Sequence, residues 1–180
     1  MSTPNKFAAL DSNVLLALGA GDDQCAEVID GLGQFGFFFI VTETALQELS
    51  DIIENDPDDE SRRHAQNAIN NVTNWGFLTP SLTSIQMGVA ERVAQDLSGK
   101  IITNGTLNDG LLLAEAAYNG CRMFITLSQP LLSSNRESMQ LTLIGFDLCG
   151  VAVGAPSEIA TALTVIREAS KEDPKKEAQK

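Results

Sequence analysis

Apolar positions along the chain follow two different rhythms. Short runs rich in apolar residues stand at 7–10 (FAAL), 36–41 (GFFFIV), 121–126 (CRMFIT), 141–146 (LTLIGF) and 151–153 (VAV). Runs of this length predict strands, and the aromatic and β-branched GFFFIV predicts one covered on both faces. Elsewhere apolar residues recur at three- and four-residue spacing. Cys25, Val28, Ile29 and Leu32 predict a helix that Asp22 or Asp23 can cap. Leu46, Leu49 and Ile53 stripe a second helix, opened by Thr42 or Thr44. After the solvated break DPDDES (56–61), Ala65, Ala68, Ile69, Val72 and Trp75 predict a helix over 62–75 that stops at Gly76. Ile85, Val89, Val93 and Leu97 predict the next, ended by Gly99. LNDGLLLAEAAYNG (107–120) has acid in its first turn and glycine after its last, and Ile159, Leu163 and Ile166 mark a final helix from Ser157.

Strands alternating with helices imply a three-layer α/β/α architecture around a mainly parallel central sheet. At 180 residues the chain is expected to form a single domain over 1–170, followed by a disordered charged tail over 171–180. No internal repeat is visible.

Composition narrows the chemistry. The chain carries 24 acidic and 12 basic residues, a net charge of −12. That balance argues against tight non-specific binding to a phosphate backbone, which needs clustered Lys and Arg. It leaves room for a nucleic-acid enzyme in which a cation mediates the phosphate contact. Three unpatterned cysteines suit small buried residues in a reducing compartment. One histidine, His64 in a charged stretch, makes Ser-His-Asp catalysis and multi-His zinc sites poor candidates. MSTPNKF lacks the apolar centre of a signal peptide, and no apolar run approaches a membrane span. A soluble cytoplasmic protein with no membrane association is therefore expected.

In parallel sheets ligands bind beyond the carboxyl ends of the strands. Asp11 stands at such an end, straight after the first strand. As a single residue it is equally well explained as a turn carboxylate capping local N–H groups. Glu48 lies beyond the second strand, near the apolar edge of its helix, whereas Glu43 points further away. Asp109 opens a third helix, and either acid alone is explained by a helix N-terminus. Three at one edge of a sheet are less ordinary. Two carboxylates about 4 Å apart repel by roughly 1 to 4 kcal/mol, so such a cluster needs protons or a divalent cation. Hard oxygen donors in that number suit Mg2+ or Mn2+, which can activate water and orient a phosphate.

ALDSNVLLAL, FIVTETALQEL and LNDGLLLAEAAYNGCRMFITLS, in that order, resemble the motifs of the PIN-domain family. VAVGAPSEIATAL resembles its closing strand-Pro-helix segment, so the likeness spans roughly 5–168. It implies a PIN-like parallel sheet with an acidic cleft and Mg2+- or Mn2+-dependent cleavage of RNA. It also implies the homodimers and antitoxin-like protein partners of bacterial toxin–antitoxin members. Carried over by position, it makes Asp11, Glu48 and Asp109 the catalytic, metal-binding acids. Asn13 and Asn108 become supporting polar groups, though Asn108 also suits a helix cap, and Thr126 becomes the hydroxyl ending a later strand.

One departure follows. The family commonly has an aspartate two residues after that threonine, where this chain has Ser128. Ser128 can bond a water but adds no charge, so the ion should be held less tightly. Asp147 is a weak substitute, more simply a turn residue. Lys100 and Arg136 are weak candidates for phosphate contacts, while Arg62, Arg63 and His64 suit a solvated surface. The first expectation is a metal-dependent ribonuclease lacking the fourth acid. The alternative is a PIN-like scaffold with weak or no catalysis, acting as a protein-binding module. A phosphotransfer receiver would need adjacent acids and a later lysine, and a haloacid-type phosphatase an aspartate at position 13; neither is present.

Overall fold

A computed structural model of the chain describes residues 6–172, with side chains as far as Ala169. Its first unit runs β1 (Lys6–Leu10), α1 (Ser12–Ala20), α2 (Asp23–Gln34) and β2 (Phe37–Val41). Four helices follow, α3 (Glu43–Asn55), α4 (Asp59–Asn71), α5 (Ser84–Lys100) and α6 (Leu107–Tyr118). The chain then forms β3 (Met123–Ile125), α7 (Gln129–Ser133), α8 (Arg136–Gly145), β4 (Ala152–Gly154) and α9 (Pro156–Glu172). The four strands make one parallel sheet in the order β2-β1-β3-β4.

This order follows from connection rules. Right-handed crossovers carry the chain from β1 outward to β2, then back across the sheet to β3 and β4. That puts α2 on one face, where it packs on α9, and α5, α6 and α8 together on the other. The direction of winding reverses between β1 and β3, so a crevice opens at their carboxyl ends. β1 is one of the two inner strands, with β3, and Ala8, Ala9 and Leu10 are fully buried. Phe124 and Ile125 of β3, Leu15, Leu49, Leu112 and Leu113 close the core around it. Each such side chain contributes about 1.5–3 kcal/mol by leaving water.

Several boundaries differ from expectation for physical reasons. LTLIGF is no strand. Its first five residues form the second half of α8, with Phe146 as the C-cap; Asn135 caps the helix through Ser138 N (2.9 Å), and the helix buries Met139 and Leu143 one turn apart. Leu141 and Ile144 of the same run face outward. GFFFIV is covered on both faces only in its second half, because β2 is an edge strand; Phe38 is 51% exposed. α1 and α7 were not expected. SNVLLALGA is apolar at almost every position and shows no period, but Gly21, in the left-handed region at φ 82°, ends the helix. α4 starts at Asp59 because the Asp58 carboxylate accepts from Glu60 N and Ser61 N. It stops at Asn71, and 72–75 is turn. α5 continues through Gly99, which sits in open space. α9 runs across the expected boundary at 170, and the remainder of the tail, 173–180, lies outside the described residues. Among the described residues no helix is long and apolar enough to cross a membrane.

Candidate active site

Asp11 is carried to the crevice by the ladder itself. Its backbone N–H donates to Ile125 O (3.0 Å), and Thr126 N–H donates to Gly154 O (3.1 Å). Parallel pairing thus continues one residue past the strand ends and sets Asp11 beside Thr126. Asp11 is 2% exposed and Thr126 fully buried. The Thr126 hydroxyl donates to Asp11 Oδ2, and Asn13 Nδ2 donates to the same oxygen at 2.9 Å. Asn13 Oδ1 accepts from Leu127 N at 3.0 Å, tying the start of α1 to the end of β3.

Glu48 reaches the crevice from the second turn of α3. Its partners come from two other helices. The Ser12 hydroxyl lies 2.5 Å from Glu48 Oε2 and 3.3 Å from Asp11 Oδ1, and Asn108 Nδ2 donates to Glu48 Oε1 at 2.9 Å. Asp109 sits in the first turn of α6. There it forms a capping box with Thr106: Oδ2 accepts from Thr106 N (2.7 Å) and Oγ1 (2.9 Å), and Thr106 Oγ1 accepts from Asp109 N (3.2 Å). The other carboxylate oxygen accepts from the Ser128 hydroxyl at 2.9 Å, and Ser128 N donates to Thr126 Oγ1 at 2.8 Å.

All seven expected residues therefore belong to one hydrogen-bonded chain, from Asn108 through Glu48, Ser12, Asp11, Thr126 and Ser128 to Asp109, with Asn13 branching from Asp11. The three acids also feel one another. Burial pushes the Asp11 carboxyl up to about 6; the Thr126 hydrogen bond opposes this, and the charges of Glu48 and Asp109 add to it. Hydroxyls stand between the acids. Among the described residues no three Asp, Glu, His or Cys side chains form a ready-made metal cluster. As a donor set, carboxylate and hydroxyl oxygens with no soft ligand fit a hard cation such as Mg2+ or Mn2+.

The other candidates stand apart from this chain. Lys100 Nζ pairs with Asp96 (2.9 Å) one turn back on α5. Arg136 makes a forked contact with Glu158 (2.8 and 2.9 Å), itself bonded to Ala155 N at the end of β4. Both cations are thus neutralised internally, which weakens them as phosphate contacts. Asp147 has φ 60°, the left-handed conformation of a turn residue after α8. Ser12 was missed from sequence. Its signal was its place beside Asp11, where the first turn of a helix carries it toward α3. Glu115 was missed as well. It is 1% exposed on α6 and accepts from Thr44 N (3.2 Å) and Thr44 Oγ1 (2.6 Å).

A four-stranded parallel sheet, helices on both faces and acids gathered at the switch point define a PIN-like α/β/α fold. Among solved structures the chain is similar to VapBC2 from Rickettsia felis bound to a DNA fragment from their promoter. The TM-score is 0.55 at 14% identity, covering 83% of this chain and 98% of that chain. FitAcB from Neisseria gonorrhoeae (TM-score 0.48, 14% identity, 83% and 97% covered) and VapC20 from Mycobacterium tuberculosis (0.46, 14%, 65% and 86%) are more distant. No family model and no curated protein matches the sequence.

Proposed function

We propose that the protein is a metal-dependent ribonuclease of PIN type, with Asp11, Glu48 and Asp109 as the acids of its site. The observation that carries this is the continuous hydrogen-bonded chain linking them at the crevice between β1 and β3. Asp11, Glu48 and Asp109 would hold the cation. When bound, it would supply Lewis-acid activation of water and neutralise the approaching phosphate. The chain's own residues do the positioning. Thr126 and Asn13 fix the Asp11 rotamer, Asn108 and Ser12 hold both oxygens of Glu48, and Ser128 orients Asp109. Substitution Asp11→Asn is expected to abolish cleavage of a labelled RNA while thermal unfolding stays cooperative. Undiminished cleavage by that variant would overturn the assignment. By likeness to the VapBC2 assembly, an antitoxin-like protein is the expected partner. A homodimer is expected as well, and light scattering tests it.

One observation favours a second reading, a binding scaffold with weak or no catalysis. Both Asp109 oxygens are already engaged, by Thr106 and Ser128, and Ser128 contributes no charge. Calorimetric titration with Mn2+ separates the two. Heat of binding below millimolar concentration supports the nuclease, and its absence supports the scaffold.

A further inference from the structure

Glu115 is a buried carboxylate to which the proposed chemistry gives no task. It lies on α6, is 1% exposed, and its hydrogen-bond donors both belong to Thr44. Burying a carboxylate is costly unless its partners are good. Here one donor is a backbone N–H in the first turn of α3, where the helix dipole also favours negative charge. The other is a hydroxyl at 2.6 Å.

The spacing ties this contact to the site. Thr44 and Glu48 are one turn apart on α3 and share a face. Asn108 and Glu115 are two turns apart on α6 and share a face too. The helices are therefore joined by two rungs, Thr44–Glu115 and Glu48–Asn108. The rungs pair early with late residues, so the helices run antiparallel where they touch. The first rung is part-buried and ends on the buried Glu115 carboxylate. The other reaches an exposed amide at the crevice. A rigid helix fixed at Thr44 presents Glu48 at a set depth and rotation.

We propose that Glu115 is a positioning residue: through Thr44 it anchors α3 on α6 and thereby holds the Glu48 carboxylate in register with Asn108, Ser12 and Asp11. The role in cation binding rests on the function proposed above; the role in geometry does not. Two measurements keep them distinct. The first needs no metal. In the NMR spectrum of the metal-free protein, the Asn108 side-chain amide signals report its bond to Glu48. Glu115→Ala is expected to move them toward random-coil positions. Glu115→Gln, which keeps an oxygen acceptor for Thr44 N–H, is expected to leave them near wild type. The second is Mn2+ affinity by calorimetry, well below the unfolding transition. Glu115→Ala is expected to weaken it about 10-fold or more, the usual scale for a group that orients a ligand, with Glu115→Gln within about 3-fold of wild type. Asn108 signals unchanged in folded Glu115→Ala overturn the proposal whether or not wild type binds Mn2+. Unchanged Mn2+ affinity in that variant overturns it too. Wild type that binds no Mn2+, with the Asn108 signals displaced in Glu115→Ala, supports the positioning and refutes only the nuclease.

Discussion

At the scale of a residue, Asp11 is a carboxylate held out of water, and burial disfavours its charged form. Its carboxyl titrates near 6 in the fold against an ordinary 3.8. Between these values the folded state holds more protons than the unfolded chain. Stability is therefore full below about 3.8 and falls as pH rises through about 6, by ~3 kcal/mol for a shift of this size. Asp11→Asn removes the ionised form. Its thermal midpoint is expected to exceed that of wild type at pH 8, and the difference to shrink toward pH 4. A constant difference across that range would place the effect elsewhere. Asp11 was legible in the sequence because an acid interrupts an apolar run at a strand end. Ser12 and Glu115 were not. A serine in a turn and a glutamate on a helix have many ordinary uses, and only the approach of α3 shows what they touch.

Among elements, the placement of α6 is decided by Gly110, next to Asp109. A Cβ there would stand 2.7 Å from Ala94 O and 3.0 Å from Ala94 Cα, both backbone atoms of α5. Gly110→Ala must part the two helices, at a cost of about 1–3 kcal/mol, and under the proposed function should weaken Mn2+ binding as Asp109 moves. Gly88, inside α5, faces open space, so Gly88→Ala is expected to raise stability by about 0.5–1 kcal/mol. Denaturant melts of both variants check the contrast. Thr106→Ala should cost about 1 kcal/mol through the lost cap. Helix starts at Asp22 and Thr42 were readable because their caps carry local chemistry. α8 was misread because an apolar run of strand length hid a one-turn repeat, Met139 to Leu143, that becomes visible only from the cap at Asn135. The edge character of β2 could not be read locally either, since strand order is a property of the crossovers.

For the whole molecule, charge sets the behaviour. A net −12 repels itself. Added salt is expected to raise the thermal midpoint by screening. Under the proposed function Mn2+ should raise it further at equal ionic strength, as a ligand of the folded state alone does. Equal midpoints in matched Mn2+ and NaCl would leave only screening. The three-layer class and the mainly parallel sheet were foreseeable from alternating periods; whether Asp11, Glu48 and Asp109 meet depends on strand order, which spacing alone does not give.

The winding reversal also orders events in time. β1 pairs with β2 about thirty positions along the chain, but with β3 only 115 positions along it. A chain emerging from the ribosome as far as α5 already carries Asp11 and Glu48, yet has neither Thr126 to steady the first nor Asn108 to steady the second. Contacts so distant in sequence form late and slowly. The acidic edge is thus completed only once β3 has been made, and a shorter chain lacks the partners that steady Asp11 and Glu48.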